Sequence, residues 1–224
     1  LWRARTGTAR PRTRGDNVHR KHLKTPPRPP AARHAMTASP TALPNALAAS
    51  LRPLQPHDAA AWSAYLNRPG VIEHTSWGDI SPAALTTLIN GYAENRDALR
   101  WAIVDTSGKL LGTVGLNEIA RAHGRAELAY DLDPLHHGRG LATHAALAIM
   151  NWAHDGLGLQ RVQATVLDSN ASSVAVLERI GMQREGILRQ YRKVRGQARD
   201  YWMYAAIRAG QGTAVPRPSP HQST

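Results

Sequence analysis

The hydrophobic pattern of this 224-residue chain predicts a mixed α/β (α+β) fold, with antiparallel strands first and a β-α-β-α-β-β half completing a largely antiparallel sheet. Three observations point there. Apolar runs at 101–105 and 110–116 flank Thr106-Ser107-Gly108-Lys109, the composition of a compact hairpin turn. A stretch with helical spacing of apolar residues starts directly after Gly138-Arg139-Gly140 and stops at Gly156 and Gly158. An alternating run, a short helical run and two further alternating runs then follow in order.

Residues 1–48 mix Arg, Pro, Thr and Ala without a period of 2 or 3.6, and they bury too little to offset the entropy of ordering. They read as a disordered tail. The chain opens at Leu1 and its first methionine is Met36, so 1–35 is either translated sequence upstream of a native start or a genuine basic or targeting tail. Patterned sequence begins with a strand at 50–54. His57-Asp58 then starts a helix with Ala61, Trp62, Tyr65 and Leu66 at helical spacing, and 82–94 forms a second with Leu85, Leu88, Ile89 and Tyr92 on one side. The hairpin follows. Strand 126–132 runs into Asp133-Pro134, where a proline ends ladder pairing. The helix after the glycine turn points Leu141, Ala145, Ala148, Ile149 and Trp152 inward. Strand 161–167, a helix in SNASSVAVLERIG ended by Gly181, and strands 186–191 and 200–207 around a turn at Gly196 close the domain. This gives one domain at 49–208 and a second disordered tail at 209–224.

The formal charge of +12 is unevenly spread: residues 1–35 hold ten of the 28 Lys and Arg against Asp16 alone. The other 18 basic and 15 acidic side chains nearly balance, so nucleic-acid binding is expected of the tail if of anything. Trp62, Trp77, Trp101, Trp152 and Trp202 read as core or pocket wall, since no basic stripe interleaves them. Cysteine is absent, which excludes disulfides, thiolate metal ligation and a cysteine nucleophile. His136, His137 and His144 cluster around the glycine turn without a carboxylate spacing that completes a site, so no metal is expected. No stretch approaches the ~20 consecutive apolar residues of a membrane span. A cytoplasmic protein with no membrane partner is expected.

A strand ending at a proline, then Gly138-Arg139-Gly140, then a helix sets unpaired backbone N–H groups at a positive helix end, which suits a phosphate. A nucleoside-triphosphatase loop would need a Lys-Ser or Lys-Thr after its glycines. A dinucleotide fold would need a third glycine where His144 stands. That leaves the pyrophosphate of another cofactor, with a plain tight turn as the rival reading.

Five segments in order, SLRPLQPHD, AELAYDLDP, HHGRGLATHA, LDSNASSVAVLERIGM and EGILRQY…RDYWMYA, resemble the GCN5-related N-acetyltransferases (GNAT), and within them the group that acetylates ribosomal-protein N-termini. The likeness spans about 49–208. It implies helices on both faces of the sheet, acetyl-CoA as co-substrate, and an amine acceptor, first of all a protein N-terminus. It also implies that the family's pyrophosphate loop maps onto His137, Gly138, Arg139, Gly140, Leu141 and Ala142, with His137 departing from the usual Gln or Arg. The strand ending near Leu132 is expected to splay from its neighbour and bind the pantetheine arm and thioester carbonyl, with Asn170 on the same arm. Glu127 matches an acidic position common in the family and is the first candidate to accept the amine's proton, with Glu118 as the second. A strand carboxylate paired with an Arg such as Arg125 is the alternative for Glu127. The proton donor is less evident, because Leu177 stands where many relatives place a tyrosine. Ser173 matches a serine given this role in the ribosomal-protein group; Tyr191 and Tyr130 are fallbacks, and simple helix capping is the plainer role for Ser172 and Ser173. Polyamines, amino sugars or aminoglycosides are the alternative acceptors, and an acidic lining from Glu73 and Asp79 would favour polyamines. A catalytically silent acyl-CoA-binding module is the alternative to an enzyme.

Overall fold

The computed structural model describes residues 50–74 and 76–209; of the expected tails, 1–48 lies outside the described residues, as does all of 209–224 except Ala209. Seven strands form one sheet in the order β1-β2-β3-β4-β5-β7-β6. They are β1 (Ser50–Pro53), β2 (Leu99–Val104), β3 (Leu110–Ala120), β4 (Arg125–Leu132), β5 (Arg161–Leu167), β6 (Gln183–Val194) and β7 (Gln197–Ile207). The helices are α1 (Ala59–Leu66), α2 (Pro82–Glu94), α3 (Leu141–Asp155) and α4 (Ala171–Arg179). Every neighbouring pair is antiparallel except β4 and β5. No described helix is long and apolar enough to cross a membrane.

The sheet has helices on both faces because its strands alternate. Ala102, Val104 and Leu110 pack against Trp62, Tyr65 and Leu66 of α1 and Leu85 and Ile89 of α2. Trp101, Ile103, Val114, Leu128 and Val162 pack instead against Ala145, Ile149 and Trp152 of α3 and Leu177 of α4. Each fully buried Val, Leu or Ile among them contributes about 1.5–3 kcal/mol of transfer free energy. Within α1 the inward face is Ala59, Trp62, Ser63 and Leu66 with Tyr65; of the expected Ala61, Trp62, Tyr65 and Leu66, only Ala61 faces solvent, because it lies off the i, i+3, i+4, i+7 stripe that 59, 62, 63 and 66 form. Ser81 starts α2, its hydroxyl accepting the Ala84 N–H (3.3 Å) with Pro82 at the first helical position.

Three strands, β3, β6 and β7, run at least three residues longer than their apolar patterns suggest, and the first two carry irregularities. In β3 the register jumps between Asn117 and Ala120, with Glu118 in the left-handed region (φ 48°). In β6 it jumps between Leu188 and Arg192, where Gln190 (φ 50°) donates its N–H to Asp200 Oδ1 at 2.7 Å. β6 and β7 join through Arg195-Gly196 alone, a two-residue turn with both φ positive (53° and 78°). Such bulges redirect side chains, and both lie beside the site described next.

Candidate active site

β4 and β5 run parallel but pair only at Arg125–Arg161, Ala126–Val162 and Glu127–Gln163. Beyond Glu127 they part, so the edges of 128–132 and 164–167 that face each other are left without ladder partners. This is the splay expected near Leu132. A cavity opens on each side of it. One, of about 350 Å³, is lined by Leu132, His137, Gly138, Gly140, Leu141 and Ala142, with Thr143, Val176 and Arg179 beyond. The other, of about 340 Å³, is lined by Glu127, Thr165, Arg192, Tyr201, Trp77 and Asn117 among others. His74, Tyr130, Asp131, Asn170 and Ser173 line both, so they stand at the junction.

The first cavity is built from backbone. Asp133 fixes its start: its N–H bonds Leu111 O at 2.8 Å, its carboxylate accepts the Leu135 N–H at 3.1 Å, and Arg68 ion-pairs with it. The loop turns through Gly138 and Gly140, both at φ 75°, which a residue with a Cβ adopts only under strain. The first N–H of α3 to find a carbonyl is that of His144, on Gly140 O at 3.0 Å. The N–H groups from Gly138 to Thr143 have no protein acceptor among the described residues, and they gather at the positive end of α3. Open space surrounds Gly138, so a phosphate can approach the main chain. His137, the departure from the family's pattern, donates its ring Nε2–H to Leu132 O at 3.2 Å and so ties the loop to the end of β4. Arg139 lies 3.2 Å from His136 Nδ1 on the exposed rim.

The second cavity is built from side chains. Asp131 on β4 accepts from Trp62 Nε1 (3.1 Å), the Tyr65 hydroxyl, Arg100 (2.5 Å) and the Thr113 hydroxyl (2.8 Å), which fills its lone-pair sites. Arg100 and Asp131 are 2% and 6% exposed in their side chains, a buried ion pair with its hydrogen bonds met. Burial, with the Asp131 charge, pushes the Tyr65 phenol well above its ordinary range. Glu127 is also buried; Thr165 donates to its Oε1 at 2.6 Å, and Arg192 lies 3.2 Å from Oε1 and 3.4 Å from Oε2. Burial acts to lower the Arg192 pKa, yet the Glu127 charge and its tyrosine neighbours leave it raised overall. The Arg partner of Glu127 is therefore Arg192, brought across by the β6 bulge, and not Arg125.

Arg125 instead sits 3.7 Å from Glu118, a pair exposed to solvent. The β3 bulge turns Glu118 outward, and Asn117, in register with Glu127, takes the place in the cavity wall. On α4, Asn170 is the cap: its side-chain oxygen accepts the Ser173 N–H (3.1 Å) and the Ser172 hydroxyl (2.9 Å). Neither serine caps the helix. Leu177 is fully buried in the core. Tyr130 donates to Ser173 O at 3.0 Å, and burial raises its pKa. Tyr191 is half-exposed, its ring against that of Tyr201. Glu73 and Asp79 are exposed and line neither cavity. The sequence reading missed Arg192, Thr165, Asn117, Asp131, Arg100, His74, Arg179 and Tyr201. They come from separate elements, and no short-range spacing links them.

Comparison with known proteins places this geometry. The model of the acetyltransferase (GNAT) domain matches residues 49–183. An uncharacterised N-acetyltransferase, p20, of Bacillus licheniformis is 32% identical over 164 residues, covering 71% of this chain and 92% of that protein. The spermidine N(1)-acetyltransferase of Escherichia coli K12 is 28% identical over 160 residues, 70% of this chain and 85% of that one. Among solved structures, ribosomal-protein-S5-alanine acetyltransferase from Vibrio fischeri superposes with a TM-score of 0.68 at 21% identity, covering 75% of this chain and 97% of that one. Mycobacterium smegmatis RimJ in complex with CoA-disulfide superposes at 0.63 with 30% identity, covering 71% and 81%. The split strands, the amide-lined cavity and these matches agree: the chain belongs to the GNAT family of acetyltransferases, enzymes that use acetyl-CoA as co-substrate.

Proposed function

We propose that this acetyltransferase modifies a protein N-terminal α-amine of the ribosomal-protein type. The observation that carries this reading is the charge balance of the side-chain cavity. Its carboxylates, Glu127 and Asp131, are each matched by a buried or half-buried guanidinium, Arg192 and Arg100. A polyamine with several ammonium groups wants excess negative charge; a single amine does not. The likeness to the Vibrio fischeri ribosomal-protein-S5-alanine acetyltransferase points the same way, while the Escherichia coli spermidine N(1)-acetyltransferase is the counterexample among relatives.

In this reading the N–H groups from Gly138 to Thr143 hold the pyrophosphate of the coenzyme, and the unpaired edge of β4 holds its arm. Acetyl-CoA supplies the activated acetyl group. The amine nitrogen bonds to the acetyl carbon as the carbon–sulfur bond breaks. Glu127 takes the amine's proton through water, because its Oε2 keeps a free lone pair whereas Asp131 has none. Ser173, at the junction of the cavities, passes its hydroxyl proton to the departing sulfur and regains one from water, so the amine's proton ends, by way of solvent, on the thiol of coenzyme A. We assign no role to the outward-facing Glu118. The test is a steady-state assay of the chain with acetyl-CoA against an N-terminal alanine peptide and spermidine. The peptide should be preferred, with kcat/KM rising with pH to a plateau above about 8, where an α-amine is neutral. Preference for spermidine would replace this reading with a polyamine one.

A further inference from the structure

Tyr201 sits on β7 opposite Leu167 of β5 and Leu188 of β6, on the sheet face that also carries Thr165 and Glu127. It is 4% exposed, held by Leu167, Leu188 and Val194, with the Tyr191 ring edge-on at 5.8 Å. It lines the side-chain cavity, yet its hydroxyl is buried without a hydrogen-bond partner among the described residues. Buried phenols nearly always find a partner, since an unmet hydroxyl gives up its hydration for nothing. Potential partners lie close by. The Arg192 guanidinium carbon is 5.8 Å from the ring centroid, but Arg192 reaches past it to Glu127.

We propose that the Tyr201 hydroxyl is a specificity-determining contact, donating a hydrogen bond to the carbonyl oxygen adjacent to the reacting amine. This rests on the α-amine reading above and refines it. Tyr201 lines the cavity that also holds Glu127 and lies away from the amide-lined one, so its ligand is not the pyrophosphate of the coenzyme, and we assign it to the acceptor. The other buried atom without a partner, His74 Nδ1, belongs to a residue that lines both cavities and does not separate the two ligands. An N-terminal residue presents an amine and, three bonds from its nitrogen, a carbonyl oxygen. Glu127 meets the first. The second needs a donor, and both guanidiniums in the wall are committed, Arg100 to Asp131 and Arg192 to Glu127. The phenol is uncommitted. A polyamine has no oxygen to receive its hydrogen.

Tyr201→Phe in the full chain removes the hydroxyl and keeps the ring. Acetyl-CoA affinity by calorimetry should not change, and Tm should hold or rise, because an unmet hydroxyl has been removed. KM for the alanine peptide should rise about tenfold with kcat retained, the loss of one buried hydrogen bond. An amine of the same shape without the carbonyl should be acetylated equally by both proteins. An unchanged peptide KM in a variant that still binds acetyl-CoA, whatever its Tm, overturns the contact and leaves the α-amine reading standing. Acetylation of spermidine and not of the peptide by the unsubstituted chain overturns both.

Discussion

The cavities on either side of the split between β4 and β5 are nearly equal in size, about 350 and 340 Å³, but they are made of different material. The amide-lined one presents main chain from a single loop, 137–143, whose N–H groups carry no side-chain identity. The other is assembled from β2, β3, β4, β5, α4, β6, β7 and residues 74 and 76–78, and its chemistry is a set of buried charges held by one another. A shared coenzyme can be gripped by backbone, which constrains sequence only where a Cβ would obstruct. An acceptor must be told apart from other amines, and that takes side chains. The two cavities should therefore fail differently when changed.

The largest expected effect is on the charged side. Asp131→Ala leaves Arg100 buried without its partner and should cost about 3–5 kcal/mol of stability, read as a fall in Tm. A loss under about 1 kcal/mol would mean that these charges are not held out of water, and the contrast would dissolve. Next comes the loop. Gly140→Asp forces a side chain into φ 75° with its Cβ 3.4 Å from the His144 ring, and adds a negative charge among the amides. Acetyl-CoA affinity should drop at least a hundredfold, about 3 kcal/mol, with circular dichroism unchanged. Retained affinity would remove the amides as the phosphate site. The smallest and most informative change is Glu127→Gln. Here kcat/KM for the acceptor should fall about a hundredfold, the lower end of what a positioned general base contributes, while the acetyl-CoA dissociation constant stays the same. A parallel loss of coenzyme affinity would show that the two cavities do not divide the work.

The same contrast governs how much the sequence disclosed. The amide-lined cavity was legible because Gly138, Gly140 and a following helix are neighbours in the chain, and a positive φ before a helix has a sequence signature. The splay at Leu132 and the placing of Asn170 beside the cavities were expected from family likeness and not from spacing. In the other cavity Glu127 could be named, but its environment could not. Arg192 is 65 residues away and reaches Glu127 only because β6 carries two extra residues between Leu188 and Arg192. The β3 bulge did the reverse to Glu118, moving a strand residue that alternation alone would leave in the sheet face out to solvent. The serines that resembled a cap proved not to be one, since Asn170, one residue before α4, reaches the free N–H first.

The sequence by itself determined the order of strands and helices, the glycine loop and the family, because periodicity, turns and caps are written in residues close together along the chain. Only the tertiary structure decided which carboxylate keeps a free lone pair, which arginine answers which acid, and that the Tyr201 hydroxyl is left without a partner. Those facts depend on strand register and on bulges that shift it by one or two residues. A shift of one residue carries a side chain from one face of a sheet to the other, and no local pattern records it.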